Sequence, residues 1–123
     1  MKIRIKGNSI RLRLTKTDVA NLDAKGLVKC KTVISNTAVF SYSLKVDEQA
    51  ESISADFTND EITLFLPKKT AEVLTKTSEI TVKGWQENGD AEKLFLLIEK
   101  DLQCLDPTHE DQSDMYKNTK SVC

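Results

Sequence analysis

A chain of 123 residues, 39% hydrophobic and 30% charged, suits one hydrophobic core and contains no apolar run near the roughly 18 residues of a membrane-spanning helix. Met1-Lys-Ile-Arg-Ile-Lys6 alternates instead of forming the apolar block of an export signal, so a cytoplasmic location without membrane contact is expected. The net charge of −1 conceals a gradient: residues 1–50 carry ten Lys/Arg against four Asp/Glu, and residues 51–123 carry eight against fifteen.

The predicted elements begin with a hairpin over residues 2–14. Ile3, Ile5, Ile10, Leu12 and Leu14 alternate with Lys2, Arg4, Lys6, Arg11 and Arg13, the period of a half-buried strand pair. Lys6-Gly7-Asn8-Ser9 makes the turn, because Gly and Asn tolerate positive φ. Thr15-Lys16-Thr17-Asp18 offers N-caps for a helix through Leu22, with a stop near Gly26. A strand from Leu27 to about Ser35 turns at Asn36-Thr37 into another, Val39 to Val46. The polar stretch Asp47–Glu51 is a linker.

The pattern then recurs. Ile53–Phe57 turns at Asn59-Asp60 into Ile62–Leu66. Pro67 opens a helix, where its missing N–H costs nothing. Glu79–Trp85 meets a hairpin turn at Glu87-Asn88-Gly89-Asp90, followed by Leu94-Phe95-Leu96-Leu97-Ile98, apolar at every position as in a strand buried on both faces. Sliding the chain by 52 residues superposes Ile10, Leu12 and Leu14 on Ile62, Leu64 and Leu66 without a gap. The same shift places Val28 and Cys30 on Ile80 and Val82, and Trp85 on Val33 as a core or rim residue. Self-similarity at a fixed period implies a duplicated unit.

The expected fold class is therefore α+β, mostly β. A duplicated ββαββ repeat would form a small pseudo-twofold barrel or two packed sheets. The domain spans residues 1–100, with repeat one at 1–47 and repeat two at 52–99, and an irregular acidic tail occupies 101–123.

Repeat two carries Phe65, Phe95 and Leu97 where repeat one has Arg13, Ser43 and Lys45. These three form the expected docking surface for a partner or for the tail, through Leu102, Leu105, Met115 and Tyr116. Of the two, the tail is preferred as the nearest tethered apolar material.

Chemistry-bearing residues gather in two places. Cys104, His109, Asp111 and Asp114 are of metal-ligand type, so a divalent metal is the one cofactor considered. Their spacing lacks a Cys-x-x-Cys pair and His109 is the chain's single histidine, so an acidic solvated tail without cofactor is the preferred reading. The basic set Lys2, Arg4, Lys6, Arg11 and Arg13 could bind nucleic acid or another anion. With no aromatic interleaved in that hairpin and a pI near 5.9, a solvated face or tail attachment site is preferred. No phosphate loop, nucleophile elbow or His-Glu-x-x-His is present, and the three cysteines read as free thiols.

The unit Leu64-Phe65-Leu66-Pro67-Lys68-Lys69 through Leu74 to Ile80-Thr81-Val82 resembles the half-barrel unit of the AbrB/MazE swapped-hairpin proteins. The first repeat is similar, with Thr15 in the place of the proline. That resemblance implies a cradle-loop barrel and a DNA-binding regulator or antitoxin. The family's Gly-Asp pair before the last strand is replaced here by Thr77-Ser78-Glu79. Met1 to Leu14, with Ile98-Glu-Lys-Asp-Leu-Gln-Cys-Leu105, also resembles an uncharacterised family of small bacterial proteins. The resulting expectation is a non-enzymatic binding module for a protein or small ligand, as monomer or homodimer, with DNA-binding regulator and metal protein as the alternatives.

Overall fold

In Ser9–Leu14, every second residue (Ile10, Leu12, Leu14) is buried, and the same alternation governs Glu61–Pro67 through Ile62, Leu64 and Leu66. These two stretches are inner strands of the two sheets in a computed structural model that describes residues 1–102 and 113–117. Ten elements follow one another: β1 (Lys2–Ile5), β2 (Ser9–Leu14), α1 (Lys16–Lys25), β3 (Leu27–Ser35), β4 (Ala38–Asp47), β5 (Ser54–Thr58), β6 (Glu61–Pro67), α2 (Lys68–Lys76), β7 (Thr81–Asn88) and β8 (Ala91–Lys100). Each half has the order strand, strand, helix, strand, strand.

The halves exchange strands. The first sheet runs β1-β2-β8-β7 and the second β3-β4-β6-β5, so each combines one hairpin from each repeat. Where the repeats meet, pairing is parallel, Leu12 opposite Ile98 and Leu44 opposite Leu64. Helix α1 carries the chain from the first sheet to the second, and α2 carries it back. Both sheets end in edge strands, so the barrel foreseen as one option does not close and the packed-sheet option holds. Leu12, Leu14, Leu44, Leu64, Leu66, Leu96 and Ile98 are fully buried, and Val19, Leu22, Ala71 and Leu74 of the helices join the same cluster.

Local chemistry explains the turns. Gly7, Gly26 and Gly89 have positive φ, as do Asn59 and Asp60, the two central residues of the β5–β6 turn, where both must adopt it. Thr15 caps α1 reciprocally with Asp18: the Thr15 hydroxyl accepts from the Asp18 amide, and the Asp18 carboxylate accepts from the Thr15 amide at 2.9 Å. Thr15→Ala is expected to lower stability by about 0.5–2 kcal/mol in urea unfolding. Pro67, the equivalent residue before α2, makes no side-chain cap.

The ungapped repeat fails after the helices. Val28 pairs with Leu44 as Val82 pairs with Ile98, an offset of 54 (82 − 28, 98 − 44), whereas Leu12 and Leu64 lie 52 apart. Helix α1 ends on Gly26 in the left-handed region and enters β3 at once. Helix α2 ends on Thr77 in extended conformation, and β7 begins only at Thr81. Val82 therefore takes the core position assigned to Ile80, which is exposed, and Cys30 is the counterpart of Gly84. Trp85 corresponds to Lys31 rather than Val33, and of the core or rim placement expected for it the core is ruled out, since it is 62% exposed.

The described tail residues dock at the start of α1. Lys16 N–H donates to the Asp114 carbonyl at 3.0 Å, Thr17 N–H to the Asp114 carboxylate at 3.2 Å, and Tyr116 N–H to the Asp101 carbonyl at 2.7 Å. Two otherwise orphaned helix donors are thereby satisfied. Met115 is buried, and the Tyr116 ring receives the ammoniums of Lys100 and Lys16 at 5.2 and 5.9 Å.

Hydrogen bonding with Thr15 and Thr17 holds the Asp114 carboxyl below the ordinary carboxylate range. A depressed acid contributes binding that is complete above its ordinary value of 3.8 and is lost as pH falls through the lower, docked one. The tail resonances of Met115 and Tyr116 are therefore expected to move toward free-peptide positions only below that ordinary value, and Asp114→Asn to loosen them at neutral pH.

Candidate binding face

Alternation along the strands of the first sheet turns Ile10, Leu12, Leu96, Ile98 and Val82 inward, so their neighbours face outward. The register arranges those neighbours in rows. Lys2, Arg13, Glu99 and Thr81 form one row; Arg4, Arg11, Leu97 and Lys83 form the next; Ser9, Phe95 and Trp85 form a third. In these three rows five cations meet one carboxylate, Glu99, and two aromatic rings, and beyond Trp85 the same face carries the ion pair of Glu87 with Lys93. The rings of Trp85 and Phe95 lie 4.8 Å apart at 47°.

The five basic residues read from the hairpin stay together, but they are not equivalent. Glu99 accepts from Arg13 Nε at 2.9 Å and also pairs with Arg11 Nη2. Lys2 pairs with Asp101 at 3.1 Å. Arg4, Lys6 and Lys83 make no ion pair among the described residues. A depression of about 260 Å³ opens between Arg4, Lys6, Ser9, Arg11, Phe95 and Leu97. Arg11 Nε is shut off from solvent there and has no hydrogen-bond partner.

The corresponding face of the second sheet has diverged. Its rows hold Leu27, Lys45, Phe65 and Ser54; then Lys29, Ser43, Thr63 and Asp56; then Lys31, Ser41, Glu61 and Thr58. Three cations there meet two carboxylates, and Phe65 has no aromatic beside it. Glu61 bonds Ser43 and Lys29, and the Ser43 hydrogen bond, aided by Lys29, holds its carboxyl below the usual value.

Phe65 and the pair Phe95 and Leu97 therefore belong to different sheets, because strand exchange parts β6 from β8. All three are half-buried. The described tail lies at α1, away from them, so the tail-docking expectation is corrected for residues 113–117. Of the metal candidates, Cys104, His109 and Asp111 lie outside the described residues, while Asp114 caps α1. Among the described residues no three His, Cys, Asp or Glu side chains converge as metal ligands. No described helix is long and apolar enough to cross a membrane.

Sequence reasoning placed Phe95 and Leu97 on a docking surface but apart from the cations, and missed Trp85 and Lys83 as members of this face. The signal was available in the outward positions of β7 and β8, but only pairing β8 with β2 connects it to Arg11.

No curated protein and no solved structure matches the chain. The model of a family of unknown function, DUF7009, matches residues 1–120, and the chain belongs to that family.

Proposed function

We propose that the protein is a non-enzymatic binding module that holds a polyanionic partner on the outward face of its first sheet. The observation that carries this reading is the strand exchange. It sets the basic hairpin of the first repeat beside the exposed Trp85 and half-buried Phe95 of the second, and neither repeat alone carries both. Three uncompensated cations and a depression floored by an arginine favour anions, since close phosphate or sulfate groups release counterions from their surroundings on binding.

The test is an amide NMR titration with a heparin-derived oligosaccharide at low salt. Shifts are expected in β1, β2, β7 and β8, with little change in β3–β6. The double variant Arg4→Glu, Lys6→Glu touches no ion pair and is expected to weaken binding about tenfold or more. Absence of binding at low salt, or shifts confined to the second sheet, would overturn the reading.

A further inference from the structure

We infer that the polyanion is a single-stranded nucleic acid, its bases stacking on Trp85 and Phe95 and its phosphates lying at Arg4, Lys6 and Arg11. This rests on the reading above and narrows it to one chemistry. A polyanion without rings uses only the cations and has no need of an indole left 62% exposed on a sheet. The Trp85 indole is an aromatic surface, bordered by cations, on which a flat ring can stack. A base offers a flat apolar surface for that purpose, and stacking of this kind is tolerant of sequence.

The spacing fits. Strands lie about 4.8 Å apart, so the basic residues of β2 and β1 stand roughly 5–15 Å from the rings across the sheet. The nearer of those distances matches the reach from a stacked base to its own phosphate, and the farther one reaches the phosphate of a neighbouring nucleotide. Arg11 lies opposite Leu97, one row from Phe95, and lines the depression, so a phosphate entering there would meet its guanidinium group.

Single strands are specified over duplexes because a duplex buries its base faces. Neither helix enters this face, since the buried residues of both belong to the common core. With no element placed to enter a groove, the rings would be wasted on paired bases.

Trp85 is the chain's one tryptophan, so its fluorescence reports on this site alone. The experiment titrates the full chain with a thymidine 12-mer, its duplex with an adenosine 12-mer, and a heparin fragment of matched charge, in 50 and 200 mM salt. Single-stranded DNA is expected to quench Trp85, to bind at least about tenfold tighter than either competitor, and to weaken steeply with salt. For the two variants, which lack tryptophan, affinity is read by anisotropy of a fluorescein-labelled thymidine 12-mer, with heparin as competitor: Trp85→Leu is expected to lose about tenfold for the single strand and to leave heparin affinity unchanged, and Trp85→Phe should recover most of the loss. Circular dichroism of each variant checks that the fold persists.

If heparin or duplex binds on this face as tightly as the single strand, or if Trp85→Leu weakens all ligands alike, the inference falls while the polyanion-binding reading stands. If no ligand binds, both fall.

Discussion

Leu12→Ala is expected to cost about 2–5 kcal/mol of folding stability, and Leu64→Ala a similar amount, each in one cooperative urea transition. Both side chains are fully buried on inner strands, β2 and β6, and both occupy the same position in their repeats. Leu12 lies between Ile3 and Ile98, and Leu64 between Ala55 and Leu44. Removing three carbons leaves a cavity that these neighbours fill only partly.

The single transition is the more telling half of that expectation. Because each sheet draws a hairpin from each repeat, loss of a core leucine in one repeat weakens ladders that belong to both. The Gln86 side chain of β7 also accepts a hydrogen bond from Ala55 N–H of β5, linking the sheets at their edges. Separate transitions for the two variants, detected by differing circular dichroism and fluorescence midpoints, would show that the repeats fold independently. As a control, Thr63→Ala on the outward face of the second sheet is expected to change stability by about 0.5 kcal/mol or less.

Glu99→Gln is expected to tighten polyanion binding about tenfold at low salt, against the usual rule that substitutions in a binding surface weaken it. Glu99 is the carboxylate of the first sheet's outward rows that faces the arginines of β2, and its side chain is 17% exposed. It engages both Arg11 and Arg13, so an arriving phosphate must compete with it for two guanidinium groups. Glutamine keeps the shape and one acceptor while removing the charge. The freed arginines should also steepen the salt dependence, by up to about 0.7 per additional phosphate contact for a single strand. The cost to folding is expected to be about 1 kcal/mol or less, since both arginines are partly solvated. Unchanged or weaker affinity in a fluorescence titration would show that Arg11 and Arg13 do not meet the ligand.

Strand alternation in β2 and β6, the cap at Thr15, the helix start at Pro67, and the turns at Asn59-Asp60 and Gly89-Asp90 were all legible, because each depends on neighbours in sequence. The two extra residues between α2 and β7 were not. An even insertion keeps inward residues inward, so apolar positions still coincide after the slip and periodicity alone cannot reveal it. The binding face was only half legible for a related reason. The cations lie on one local hairpin, whereas their aromatic companions lie far along the chain and join them through the pairing of Ser9 with Phe95. No local pattern states which hairpin of one repeat will meet which hairpin of the other.

A pair of identical chains, each one ββαββ unit, could build this architecture about a true twofold axis. In such a dimer both outward surfaces would be copies, and every substitution would appear on each. Tandem joining of the units lifts that constraint. One surface could then become cationic and ring-bearing while its counterpart settled near neutrality. The linker between β4 and β5 is thus what allows a symmetrical scaffold to carry two unlike sides.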